Sequence, residues 1–102
     1  MKKIINTSKS PAPIGPYNQA ILKDNMLFIS GQIALDPNSM KLNNRSIEDE
    51  TNQVMLNLKN ILIEANMDFT NVVKTSIFLS DMNLFKKVNE IYGKYIIEGD
   101  EP

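Results

Sequence analysis

The sequence predicts an α+β fold, a two-layer sandwich with the element order β-β-β-α-β-α. Three observations carry that expectation. Two extended, apolar-rich runs flank Asp24-Asn25; the stretch from Ile47 to Ala65 repeats apolar residues at helical spacing; and Val72 to Leu79 is rich in β-branched residues. With 102 residues, the chain is expected to form one domain over 1–102, because neither half could bury a core of its own.

In chain order, the first expected element is a short strand at Lys2 to Ile5. Tyr17 to Lys23 and Met26 to Leu35 then read as a hairpin, since Asp24 and Asn25 both tolerate the positive φ of a two-residue turn. In its second strand Met26, Phe28, Ser30 and Gln32 share one face, and Leu27, Ile29, Gly31 and Ile33 the other. Asp36-Pro37-Asn38-Ser39 is turn chemistry. The long helix has its stripe at Ile47, Thr51, Val54, Met55, Leu58, Ile61, Leu62 and Ala65. Ser46 with Asp49 resembles a capping box, Glu48, Asp49 and Glu50 complement the helix dipole, and Asn66 suits a left-handed C-cap.

After the strand Val72 to Leu79, Asp81 is expected to cap a second helix with the stripe Leu84, Phe85, Val88, Ile91, Tyr92 and Tyr95, ended by Gly99 and Pro102. Strand, helix and strand form a right-handed crossover if the strands are parallel. Each helix has a single apolar stripe, so both are expected on the same sheet face. The opposite face then lacks cover within the chain and is expected to pack on other subunits. Gly99-Asp100-Glu101-Pro102 reads as a loop leading into another element, and Val72 to Leu79 as a central strand that needs neighbours on both sides. The domain is therefore expected to be C-terminally incomplete.

Composition removes several function classes. There is no histidine, cysteine or tryptophan, which excludes a disulfide framework, thiol chemistry, histidine or cysteine metal sites and a histidine-based triad. Eleven basic residues, ten lysines and Arg45, face twelve acidic ones, for a net charge of −1. That balance weighs against a nucleic-acid partner, which requires clustered positive charge. No apolar run is long enough to span a membrane. Met1 to Ile5 is followed by polar Asn6-Thr7-Ser8, without the long apolar core of a signal peptide, so a cytoplasmic protein is expected.

Three places can carry chemistry. Pro11-Ala12-Pro13-Ile14-Gly15-Pro16-Tyr17 is a stiff loop that presents Tyr17 at a fixed place, or a structural loop around a packed tyrosine. Ser30-Gly31-Gln32 interrupts an apolar strand; Gly31 marks either close approach of a ligand to the backbone or close packing of a helix. Asn89 lies beside the stripe of the second helix. The six methionines read as core filler. No single motif names a reaction.

Taken together, four segments resemble the Rid family, the reactive intermediate deaminases, also called YjgF or translation-inhibitor-like proteins and endoribonuclease L-PSP. They are Pro13-Ile14-Gly15-Pro16-Tyr17-Asn18-Gln19-Ala20, Phe28-Ile29-Ser30-Gly31-Gln32-Ile33, Val73-Lys74-Thr75-Ser76-Ile77-Phe78-Leu79-Ser80-Asp81-Met82 and Phe85-Lys86-Lys87-Val88-Asn89-Glu90-Ile91-Tyr92. The resemblance implies a chorismate-mutase-like fold and a homotrimer with clefts between subunits. It implies hydrolysis of amino-acid-derived enamines and imines, such as 2-aminoacrylate, to 2-keto acids and ammonia, with no cofactor and no metal.

By the same resemblance Tyr17 is the catalytic tyrosine, and Ser30, Gly31 and Asn89 are substrate-binding residues. The family's carboxylate-binding arginine and its water-positioning acid lie beyond the second helix, where this sequence stops at Glu101-Pro102. Arg45 lies in an unrelated turn. The two last strands are missing with them, and the 102 residues alone are expected to be inactive. The alternative functions are a non-enzymatic small-carboxylate or protein-binding module, and a translation inhibitor or ribonuclease.

Overall fold

Antiparallel pairing of three short strands, in the order β1-β2-β3, builds the sheet of the computed structural model, which describes residues 1–102. Strand β1 is Lys3–Ile5, β2 is Ala20–Lys23 and β3 is Met26–Ile29. The β2–β3 turn is Asp24-Asn25, with φ of 49° and 68°. Both values lie in the left-handed region that a type I′ turn requires, and Asp and Asn enter it at low cost. The hairpin strands are shorter than expected. Beyond Ile29 one bond continues the ladder, from Ser30 N–H to the Gln19 carbonyl (2.9 Å), and the chain then leaves the sheet.

Register fixes the two faces. Ile5, Ala20 and Ile29 stand opposite one another, as do Leu22 and Leu27, and Ile61 of the long helix packs on them. The other face carries Ile4, Ile21 and Phe28 in one row, with Met26 beside them. It is uncovered: Ile4 is 54% and Phe28 59% exposed.

Helix α1 spans Ile47–Glu64. Ser46 caps it, its Oγ accepting from Asp49 N–H at 3.0 Å, and Glu48, Asp49 and Glu50 fill the first turn. The far end is a Schellman closure. Asn66 has φ of 58°, its N–H donates to the Ile63 carbonyl (2.9 Å), and Met67 N–H donates to the Leu62 carbonyl (2.8 Å).

The second helix begins later and ends earlier than expected. Asp81 caps a single 3-10 turn, Met82–Leu84, and α2 itself runs from Phe85 to Gly93. It packs against α1: Val88 and Ile91 are buried, Tyr95 Oη donates to Asn52 Oδ1 (2.9 Å), and the Phe69 and Tyr95 rings meet edge to face at 5.8 Å.

Val72 to Leu79, expected as a strand, belongs to no ladder. No other strand of the chain lies alongside to take its main-chain bonds, and β propensity does not make a strand without a partner. Its Val73, Ile77 and Phe78 side chains are exposed. Thr75 Oγ1 and Tyr92 Oη, 2.9 Å apart, tie the segment to α2. Of the methionines expected as core filler, Met55 is buried, whereas Met1, Met26 and Met82 are exposed. No helix is long and apolar enough to cross a membrane.

Candidate functional site

Two walls face each other beside the end of β3. One is the proline-rich loop Pro11 to Tyr17; the other is the segment Gly31 to Leu35. Between them lies a cavity of about 130 Å³. That is close to the roughly 150 Å³ engineered cavity that accepts benzene, so an acid of three or four carbons fits.

The loop wall is stiff for local reasons. Tyr17 N–H donates to the Gly15 carbonyl at 2.8 Å, a γ-turn centred on Pro16, whose φ is fixed by its ring. The turn folds the Tyr17 ring back over Gly15: a Cβ on that glycine would lie 3.5 Å from Cδ1 and Cε1. Tyr17 Oη accepts from Ile14 N–H at 3.3 Å. The hydroxyl proton is thus left free to donate to a bound molecule. Tyr17 is 48% exposed, so it is not a core tyrosine.

The opposite wall turns on Gly31. A Cβ there would meet nothing within 4 Å. No helix packs against it, which removes the close-packing explanation of this glycine. Its backbone borders the same cavity as Tyr17. Ser30, next to it, is turned inward: Oγ donates to the Asn18 carbonyl (2.7 Å), which binds the end of β3 to the start of β2.

Asn89 is placed elsewhere. It lines a separate groove of about 430 Å³ with Tyr92, Gly93 and Glu98. No residue of α2 lines the Tyr17 cavity. Within one chain, then, Tyr17 and Gly31 come together, Ser30 supports them, and Asn89 stands apart. Arg45 does not line the cavity either; it pairs with Asp49 at 3.8 Å on the exposed start of α1. No charged side chain lines the cavity, and no cluster of acidic residues could hold a metal ion.

Two buried amides shape these walls, and sequence reasoning missed both. Gln19, 2% exposed, accepts from Thr7 N–H at 2.6 Å through Oε1. Its Nε2 donates to the carbonyls of Thr7 (2.9 Å), Ser10 (3.2 Å) and Pro11 (2.8 Å). Asn57, fully buried on α1, donates through Nδ2 to the carbonyls of Ile33 (3.1 Å) and Leu35 (3.0 Å). Its own main-chain carbonyl accepts from Ser10 Oγ at 2.6 Å. The signal for Asn57 is its spacing, three residues after Val54 and four before Ile61, which places a polar residue on the apolar stripe.

Comparison with known proteins agrees with this architecture. Residues 7–102 match the family model described as Endoribonuclease L-PSP. The human protein named 2-iminobutanoate/2-iminopropanoate deaminase is 47% identical over 95 residues, covering 93% of this chain and 69% of that one. Among solved structures, the Rid-family protein YyfA of Yersinia pestis superposes with a TM-score of 0.93 at 38% identity, covering 96% of this chain and 78% of that one. TdcF of E. coli, solved with bound serine, gives 0.89 at 31% identity, with 98% and 78% covered. The chain belongs to the endoribonuclease L-PSP family, that of the Rid and YjgF proteins, and has their α+β fold.

Proposed function

We propose that the protein is a 2-imino acid deaminase. The observation that carries this reading is the small cavity shared by the Tyr17 hydroxyl and the Gly31 backbone, in a chain 47% identical to a protein named for that activity. Water adds across the C=N bond of the imino acid. In the resulting carbinolamine the hydroxyl proton passes to nitrogen, the C–N bond breaks with its electron pair leaving on nitrogen, and the carbonyl forms, so that a 2-keto acid and ammonia are released.

Tyr17 donates its free O–H to the substrate carboxylate or imine nitrogen, and Gly31 leaves the backbone open to the substrate. The aliphatic lining from Ala12, Ile14, Ile33 and Leu35 suits a short alkyl side chain. A carboxylate also needs a cationic anchor, the role a bidentate arginine fills best, and none lines the cavity. The uncovered face of Ile4, Ile21, Met26 and Phe28 supports a homotrimer with the sites in clefts between subunits, where Asn89 of one copy can approach Tyr17 of another. The protein works in the cytoplasm and uses no cofactor.

A coupled assay tests the reading. A pyridoxal-phosphate-dependent dehydratase releases 2-iminobutanoate from threonine, and 2-oxobutanoate is followed with and without the protein as its gene encodes it. Faster release than the spontaneous rate is expected; no acceleration overturns the proposal. A second reading, a small-carboxylate-binding module, draws on the serine bound to TdcF. Saturable binding of 2-oxobutanoate without any acceleration selects it.

A further inference from the structure

Every hydrogen bond of the Gln19 side-chain amide goes to the segment from Thr7 to Pro11, which leads into the loop that carries Tyr17. Nε2 holds the carbonyls of Thr7, Ser10 and Pro11, and Oε1 holds Thr7 N–H. Buried polar groups are normally satisfied, so these bonds alone would not distinguish Gln19. Its position does. The side chain lies beneath the first residue of the loop, lines the cavity itself, and its main-chain carbonyl receives Ser30 N–H at 2.9 Å. One residue therefore touches both walls: Pro11 and its loop through the side chain, Ser30 beside Gly31 through the backbone.

From Pro11 onward the loop has no strand or helix to hold it. The γ-turn at Pro16 makes Tyr17 follow wherever Pro11 to Gly15 are placed. The second tether, Ser10 Oγ to the Asn57 carbonyl, attaches the loop's base to α1 but does not reach Pro11. We infer that Gln19 is the positioning residue of the site, setting the distance of the Tyr17 hydroxyl from the Gly31 wall through the Pro11 carbonyl. The inference rests on the deaminase reading for its consequence in turnover, but its geometric part does not.

The test uses the full chain labelled with 3-fluorotyrosine. Its three tyrosines, 17, 92 and 95, give separate fluorine resonances, with Tyr17 assigned by its loss in Tyr17→Phe. Gln19→Met keeps length and shape and removes the donors and the acceptor. The Tyr17 resonance should move toward the position of an unfolded tyrosine, while Tyr92 and Tyr95 stay in place, and kcat/KM for the imine should fall tenfold or more. A Tyr17 resonance that stays put in folded Gln19→Met overturns the inference, whatever happens to the melting temperature.

If Gln19→Met unfolds, all three resonances move together, and Ser10→Ala then decides. Severing that tether should leave Tyr17 in place, because Gln19 still holds Pro11; movement of Tyr17 overturns the assignment to Gln19. If the unaltered protein accelerates no imine hydrolysis, the deaminase reading fails, and the fluorine spectra still decide whether Gln19 places Tyr17.

Discussion

A methyl group added at Gly31 would touch no atom of this chain within 4 Å, and the residue's φ lies outside the left-handed region. Gly31→Ala should therefore leave the fold intact, or stabilise it by about 0.4–1 kcal/mol through a less flexible unfolded chain. If the substrate lies against that backbone, kcat/KM should fall at least tenfold, and a thermal melt beside a turnover assay separates the two effects. Tyr17→Phe is the complementary change. It removes the O–H and the weak bond from Ile14, so stability should hardly move. Turnover should fall by roughly two- to tenfold, the value of one hydrogen bond of about 0.5–1.5 kcal/mol in the transition state. Both residues were legible in the sequence, because proline-rich loops and glycine-broken strands are local signals. Gln19 and Asn57 were not. A buried amide looks like a surface amide until its partners are known, and those partners lie 8–12 and 22–24 residues away.

Among the elements, turn and cap chemistry was read most accurately. Asp24-Asn25, Ser46 and Asn66 act through neighbours a few residues away, and the structure places each as its chemistry requires. Asn66→Ala should cost about 0.5–1 kcal/mol, because at φ of 58° asparagine's short polar side chain can hydrogen-bond the local backbone and alanine's methyl cannot; the measurement is the denaturation midpoint. The turn after the first loop predicts a pH dependence. Asp36 accepts from Ser39 N–H (3.0 Å) and Asn38 N–H (2.8 Å), and these bonds, Ser39 first, hold its carboxyl below the ordinary value of 3.8. Asp68 is lowered likewise, by the Thr70 hydroxyl and then the Thr70 N–H. A lowered folded value means stability that is present above 3.8 and lost as pH falls through the folded values. Melting temperature should thus decline below that pH, and Asp36→Asn should make the decline shallower. Val72 to Leu79 was misread for a reason of another kind. Its composition suits a strand, but a strand is a property of two segments, and the second is not in these 102 residues.

For the whole molecule, area is the telling quantity. A folded monomer of 11.6 kDa is expected to expose about 5,800 Å², whereas this chain exposes 7206 Å² and buries only 13 of its 102 residues. Large apolar side chains contribute to that exposed area in two places: Ile4, Met26 and Phe28 on the sheet face, and Val73, Ile77 and Phe78 in the unpaired segment. Phe28→Glu places a charge in the middle of that face without touching the Ile5–Ala20–Ile61 core. Sedimentation should show the unaltered protein at about three times the 11.6 kDa chain mass and the variant at one. A variant that remains associated would put the interface elsewhere. That this face lacks cover within the chain was legible in the single apolar stripe of each helix; how much apolar surface stays exposed was not, because it also depends on a strand that found no neighbour.

The chain's plate-like outline, 42 × 36 × 19 Å, has a further consequence. A body only 19 Å thick has room for one layer of side chains between sheet and helix, and that layer is what the Ile5, Ala20 and Ile61 cluster amounts to. If neighbouring copies complete the burial, folding and assembly become a single mass-action equilibrium, with no separate constant for each. The melting temperature is then set by how much protein is in the tube: it should climb steadily with the logarithm of concentration, and dilution should denature the protein as surely as heat.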